Sequence, residues 1–257
     1  MVKMGSSTQL LWGSWQIGGP RHYYRESLIM KAVKDVPSGG RILDVGCGTG
    51  SLMIQLVLKG YKVCGIDMSD DSVKRTNEQL RRLIPNTELA AKKGSAEKID
   101  YPDERFDAVI AAEVLEHVEN DRLAVKEFNR MLKPGGICVI TVPASPHLWD
   151  ISDEVAGHKR RFSKDDLLSL FNDSSFHVEK IFFMGFPLMR LYHQLVFLSW
   201  ARRIEKKKVG AISMDDAVAR IGLNKWTTVI LGNIFRFDNL FNSLPWGIGI
   251  LLVAKKI

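Results

Sequence analysis

From Arg41 to Val142, short apolar runs alternate with amphipathic stretches of helical period, and that alternation leaves few folds open. Strand-length runs separated by helix-length ones build βαβ units, whose strands lie parallel in one sheet with helices against its faces. "RILDV" (41–45) predicts a first buried strand, "SLMIQLVLKG" (51–60) a helix stopped by Gly60, and "KVCGID" (62–67) a second strand. Ser69 or Asp70 caps a helix through "DSVKRTNEQLRRL", a third strand falls near "TELAAKKG", and "FDAVIAAE" is a fourth. "ENDRLAVKEFNRML" is helical, "KPGG" (133–136) turns the chain, and "ICVITVPA" is a fifth strand. Five such strands predict a doubly wound α/β fold.

Past Pro143, "SPHLWDISDEVAGHKRR" reads as a polar loop of the kind that lines active sites above a sheet. "SKDDLLSLF" then predicts a capped helix, "HVEKIFFMGF" a sixth strand and "GIGILLVAKK" a seventh. About 60 residues separate the last two strands, far more than a usual connection, so they must hold helices of their own. "PLMRLYHQLVFLSWARRIEKKK" and "WTTVILGNIFRFDNLFNSL" are the candidates, and Arg190, Arg236 and Asp238 argue against their spanning a membrane. The expected organisation is a leading helical or lid segment (1–40), a core (41–186), an apolar basic helical insertion (187–246) and a last core strand (247–257).

Charge separates these segments. Residues 187–257 carry 11 basic and 4 acidic side chains, which is the whole of the net charge of +7. "ARRIEKKK" (201–208) in this apolar context reads as a face for an anionic membrane surface, as a patch for nucleic acid, or as an ordinary solvated helix. Cys47, Cys64 and Cys138 have no C-x-x-C spacing, which argues against a disulfide framework or a cysteine zinc site. A reducing, cytoplasmic setting is expected, with no secretory signal in "MVKMGSSTQLLWGSWQIGG".

"LDVGCGTGSL" sets Gly46, Gly48 and Gly50 between the first strand and the next helix, where a ligand can approach bare backbone. Asp44 precedes these glycines, in a spacing unlike the G-x-G-x-x-G of dinucleotide sites. A carboxylate there suits an ammonium group rather than a pyrophosphate. Asp67, at the tip of the second strand, can accept both hydroxyl protons of a ribose. Together they describe a nucleoside bearing a cationic amino acid.

With "GIDMS", "GSAEKIDYPDERFDAVIAAEVLEHV" and "LKPGGICVITVP", the sequence resembles the class I S-adenosylmethionine-dependent methyltransferases over roughly residues 38–186 and the last strand. The resemblance implies a Rossmann-like, seven-stranded sheet with an antiparallel last strand. It implies S-adenosylmethionine as cofactor, with Gly46, Gly48 and Gly50 along its methionine part, Asp67 on the ribose, Met68 on adenine, and Ser95 and Ala96 near the adenine edge. Many relatives have Asp where this chain has Ser95.

Transfer of a methyl group from a sulfonium is an in-line displacement, which needs an aligned acceptor and, for a hydroxyl, a route for its proton. At the end of the fourth strand, Glu113, Glu116 and His117 stand at i, i+3 and i+4, so a helical "EVLEH" would present two oxygens and a nitrogen on one face. They could hold Mg²⁺ or Mn²⁺, act as acid, base or substrate contact, or serve structure alone. The cluster resembles that of ubiquinone-biosynthesis O-methyltransferases and small-RNA 2′-O-methyltransferases, which use such residues for a divalent ion; in the RNA enzymes a later histidine completes the site. His158 is the matching position here. His22, His147, His177 and His193 show no such pattern and are expected to be solvated or satisfied.

Tyr23, Tyr24 and Arg25 are candidate lid residues, and Lys159, Arg160 and Arg161 suit a phosphate or carboxylate on the acceptor. The expected acceptor is small or lipid-like, taken from a membrane surface to which the protein binds peripherally and methylated on oxygen. An RNA 2′-O-methyltransferase and a noncatalytic S-adenosylmethionine-binding protein are the competing readings. Salt-dependent RNA binding would mark the first, and indifference to loss of Glu113 and His158 the second.

Overall fold

The computed structural model describes residues 19–84, 90–172, 175–199, 202 and 225–257. Seven strands form one sheet in the order β3-β2-β1-β4-β5-β7-β6. They are β1 (Arg41–Val45), β2 (Lys62–Asp67), β3 (Ala91–Lys93), β4 (Phe106–Ala112), β5 (Leu132–Pro143), β6 (Phe176–Met184) and β7 (Gly249–Lys256). β1 to β5 pair in parallel, while β7 inserts between β5 and β6 and is antiparallel to both. The α/β, doubly wound expectation and the antiparallel last strand are both met.

The helices are α1 (Pro20–Ala32), α2 (Ser51–Leu58), α3 (Asp70–Leu83), α4 (Asp121–Met131), α5 (Ile151–Ala156), α6 (Lys164–Asn172), α7 (Leu188–Tyr192) and α8 (Lys225–Ile234). Ser69 caps α3 by accepting the Ser72 N–H, and Asn120 caps α4 by accepting that of Leu123. Both helices are amphipathic, and α4 sets Ala124, Val125, Phe128 and Met131 against the sheet. Apolar clusters fill both faces: Phe106, Phe128 and Phe171 lie on one side, and Tyr24, Met53 and Leu56 on the other.

Two expectations about local structure are corrected. "KPGG" ends α4 but stays within β5, where Phe106 pairs with Leu132 and Ala108 with Ile137; the intervening residues bulge opposite Asp107. Lys133 reaches the Asp107 carboxylate at 2.6 Å, a partner that lies far off in sequence. The polar run 145–161 is not all loop, since Asp150 and Asp153 form a reciprocal capping box that starts α5 inside it.

The insertion lies partly outside the described residues, including most of "ARRIEKKK". Its first portion is α7, continued by a π-helical turn over His193–Phe197. Its second portion is α8, continued by a 3-10 turn over Phe235–Phe241. Asp238 joins them: its buried carboxylate accepts the Leu188 and Met189 N–H groups, each at 2.9 Å, and so caps α7 across the insertion. The face of α8 bearing Thr228 and Gly232 is buried, and a Cβ at Gly232 would lie 2.4 Å from the Tyr23 ring, so α8 packs tightly on α1. The opposite face exposes Trp226, Ile230, Ile234 and, past the helix end, Phe237 and Leu240.

Candidate functional site

The loop after β1 is a run of left-handed turns, with φ of +68° at Gly46, +50° at Gly48 and +83° at Gly50. Side chains from α3 and β2 hold it. Gly48 donates its N–H to Asp67 Oδ2 at 2.9 Å, Thr76 donates its hydroxyl to the Gly48 carbonyl at 2.8 Å, and Gln79 donates to the Thr49 carbonyl at 3.0 Å. Thr76 and Gln79 are buried polar residues that the sequence analysis passed over; their only signal was polarity on the buried face of α3. A Cβ on Gly46 would meet Val114 Cγ2 at 2.6 Å. Gly46→Ala should therefore cost about 1–3 kcal/mol of unfolding free energy in urea titrations, through overpacking and a strained φ. An unchanged midpoint would mean the loop yields.

This loop, the end of β4, α1, α5 and the π-helical turn enclose a cleft of about 460 Å³. Asp44, Gly46, Gly48, Glu113, His117 and His158 line it, while Asp67, Met68, Ser95, Ala96 and Glu116 do not. Asp67 Oδ1 accepts the Ser69 N–H at 2.8 Å, so both of its oxygens are fixed by backbone at the carboxyl end of β2. Met68 is 72% exposed beside it. Ser95 accepts the Glu97 N–H in a turn that leaves Ala96 buried.

Asp44 is 2% exposed and its Oδ2 has no hydrogen-bond partner. Burial, with the charges of Glu26 and Asp67 added, raises its pKa well above that of an ordinary carboxyl. The native protein thus binds more protons than the unfolded chain, whose Asp titrates near pH ~3.9. Asp44 therefore lowers stability as pH rises from that value through its raised native pKa. In ligand-free protein at pH 8, Asp44→Asn should raise unfolding free energy by about 1–3 kcal/mol, with a smaller difference at pH 5. Equal pH slopes for the two proteins in urea titrations would sink this.

"EVLEH" is not helical. Glu113 leaves β4 with φ +58°, its N–H donating to the Thr141 carbonyl at 2.9 Å, and the His117 N–H closes a turn onto the Val114 carbonyl at 2.9 Å. The left-handed residue bends the chain at the strand end and a turn follows, which helical spacing could not reveal. Glu113 Oε2 pairs with Arg25 Nη1 at 3.2 Å, and Oε1 accepts the Thr141 hydroxyl at 3.1 Å. Burial opposes its charge, but Arg25, then His158 and Arg21, hold its pKa below the ordinary range.

The ligating atoms that converge, within 4.8 Å of one another, belong to Glu116, His117 and His158. Glu116 is 0% exposed, and neither of its oxygens has a hydrogen-bond partner; burial and then Glu113 push its pKa well up. His158 Nδ1 lies 2.7 Å from Asp153 Oδ1, and Arg161 Nε and Nη2 both hold that carboxylate. An ionised Asp153 accepts only, so Nδ1 carries the proton and Nε2 keeps its lone pair, 3.9 Å from Glu116 Oε1. His117 Nδ1 faces the Gly157 carbonyl at 3.3 Å, which leaves Nε2 free there as well. Burial, then His158, lowers the His117 pKa.

The basic run "HKRR" is already spent within the chain, contrary to expectation. Lys159 pairs with Glu119, Arg160 with Asp121 at 2.7 Å, and Arg161 with Asp153. Of the expected lid residues, Arg25 enters the cleft, whereas Tyr24 is fully buried and donates to Asn239 Oδ1 at 2.8 Å. His22 and His193 are satisfied, as expected, yet both line the cleft. Arg21, Asp150 and Asp153 line or support it without having been singled out by the sequence.

Residues 43–140 match the family described as a methyltransferase domain. Over 99 residues the chain is 42% identical to the ubiquinone biosynthesis O-methyltransferase of Alkalilimnicola ehrlichii, covering 38% of this chain and 39% of that one. It spans between 39% and 62% of the length of the first curated relatives. The crystal structure of the (4+2)-cyclase SpnF superposes with a TM-score of 0.66 at 20% identity, over 95% of this chain and 85% of that one. Phosphoethanolamine N-methyltransferase 2 of Haemonchus contortus, solved with S-adenosyl-L-methionine, gives 0.64 at 17% identity, over 96% of this chain and 55% of that one. These two likenesses show the fold, on which a cyclase and an N-methyltransferase are both built. The domain match, the glycine loop after β1 and the antiparallel β7 agree: residues 43–140 are a methyltransferase domain of the class I S-adenosylmethionine-dependent type.

Proposed function

We propose that the cleft transfers the methyl group of S-adenosylmethionine to an oxygen of a small, lipid-like acceptor. The observation that carries this reading is His158, whose tautomer Asp153 sets so that Nε2 offers a lone pair at the cleft. Asp44 takes the cofactor ammonium, Gly46, Gly48 and Gly50 border the methionine chain, Asp67 binds the ribose, and Met68, Ser95 and Ala96 flank adenine. As the acceptor oxygen attacks the methyl carbon, the C–S bond breaks, S-adenosylhomocysteine leaves as a neutral thioether, and the hydroxyl proton passes to His158 Nε2. Glu113, held by Arg25 and Thr141, orients the acceptor.

One observation favours a second use of the same corner. Glu116 is buried with both oxygens unpartnered, and His117 and His158 each turn Nδ1 to an oxygen and keep Nε2 free, the arrangement that metal-ligating histidines adopt. Glu116, His117 and His158 would hold the ion. Two nitrogens and one carboxylate suit Mn²⁺ better than Mg²⁺, which prefers oxygen throughout. Such an ion would supply Lewis acidity that lowers the pKa of an acceptor hydroxyl.

The lipid-like acceptor is supported by α8, apolar on its outer as well as its inner face, and by the basic excess of the insertion. We place the protein at an anionic membrane surface while it binds its acceptor. No helix among the described residues is long and apolar enough to cross a membrane. Methyl transfer from labelled S-adenosylmethionine into lipid extracts, with and without EDTA, tests acceptor and metal together. Product in the lipid fraction is expected. Loss in EDTA restored by Mn²⁺ selects the metal reading, and no product in any fraction overturns the enzyme. Flotation with phosphatidylserine vesicles tests the surface, and binding to RNA alone would overturn it.

A further inference from the structure

Two arginines stand one turn apart on α1, at Arg21 and Arg25, and both line the cleft. Arg25 is neutralised, with Nη1 on Glu113 at 3.2 Å and Nη2 on His22 at 3.0 Å. Arg21 is not. Its Nη1 donates to His193 Nδ1 at 2.9 Å, its guanidinium sits 4.6 Å from the centre of the Phe197 ring, and no carboxylate among the described residues lies within ion-pair distance of it. His193 Nδ1 accepts this bond, so Nε2 bears the proton and donates to Asp150 Oδ2 at 2.8 Å. A neutral imidazole therefore stands between the guanidinium and Asp150. Burial lowers the Arg21 pKa to about 10, Glu113 opposing and Arg25 adding, as expected for a cation that the fold leaves under-compensated.

Phe197 beside Arg21, together with Tyr192, Val155 and Ile248, gives the same cleft an apolar portion. α1 also begins here, with no side-chain cap at Gly19 and no acidic residue in its first turn, so its N-terminal dipole adds positive potential. We infer that Arg21 receives a carboxylate or phosphate carried by an otherwise apolar acceptor, with His193 and Phe197 holding the guanidinium in place. This rests on the proposed methyl transfer and names its substrate class. The anion belongs to the acceptor rather than to the cofactor because the partners of Arg21 come from the insertion between β6 and β7, while Arg25 meets the residues at the end of β4.

The test is calorimetry at fixed ionic strength on protein saturated with S-adenosylhomocysteine, titrated with decanoate, decyl phosphate and decanol. Wild-type protein should bind both anions about 10–100-fold more tightly than the alcohol. Arg21→Gln should remove that preference and leave decanol and S-adenosylhomocysteine binding unchanged, while Arg21→Lys, which keeps the charge but not the fork, should retain part of it. Equal anion affinity in Arg21→Gln and wild type overturns the inference. So does a loss of S-adenosylhomocysteine affinity in Arg21→Gln that is absent with its decarboxylated analogue, which would assign the arginine to the cofactor. Should Arg21→Gln fail to fold, the Lys variant decides: a preference for the anions over decanol undiminished from wild type overturns the inference. If wild-type protein binds no S-adenosylhomocysteine, the proposed methyl transfer fails by itself, and decanoate titrated into unloaded protein still reports on Arg21.

Discussion

Asp67→Ala should abolish measurable binding of S-adenosylhomocysteine in calorimetry. Each Asp67 oxygen already takes one backbone N–H, from Gly48 at 2.9 Å and Ser69 at 2.8 Å, so the carboxylate is a fixed fork whose remaining lone pairs suit two vicinal hydroxyls. On the proposed placement of the cofactor, removing it deletes two charge-assisted hydrogen bonds to the ribose and leaves the Gly48 N–H unmet, a loss of about 3–6 kcal/mol, or roughly 10²–10⁴-fold in affinity. Asp67→Asn keeps one acceptor oxygen and should lose about 10–100-fold. Thermal melts of ligand-free protein should show the Ala variant folded, about 1 kcal/mol less stable. Undiminished affinity in Asp67→Ala would defeat the assignment of the ribose to β2.

His158→Ala should lower kcat by about 10²–10⁴ with S-adenosylhomocysteine affinity unchanged, since in the proposed reaction the imidazole meets the acceptor proton and not the nucleoside. Activity of the variant should rise with pH as the acceptor hydroxyl ionises without help. Asp153→Asn separates base from orientation. It removes the acceptor that holds Nδ1–H at 2.7 Å and also releases Arg161, so kcat should fall by about 10–100-fold while the lone pair remains available in a fraction of rotamers. A His158→Ala enzyme within about twofold of wild type in kcat would remove the base from the proposal. Retained activity that EDTA then abolishes would move the chemistry to Glu116 and His117.

The edges of β1 and β2 were legible to the residue because a parallel strand buried on both faces is a continuous apolar run, bounded by residues that stop it. The glycine loop was legible for a related reason: three left-handed positions leave a local trace that only glycine supplies cheaply. "EVLEH" misled because i, i+3, i+4 spacing has meaning only on a helix, and the chain bends at Glu113 into a turn instead. "HKRR" misled because charge on a loop says nothing about partners. Glu119, Asp121 and Asp153 had already claimed it.

The alternation of strand and helix, the backbone turn that offers bare N–H groups, and the carboxylate at the tip of β2 are all written into local sequence. Each depends on neighbours a few residues away, where periodicity and turn chemistry act. Which charges cancel depends on long-range packing. Arg25 finds Glu113 and is quenched, whereas Arg21, one turn earlier, meets a histidine 172 residues distant and keeps its charge for the cleft. Coulomb energy follows separation in space, and for residues so far apart along the chain the packing of α1 against the insertion sets that separation.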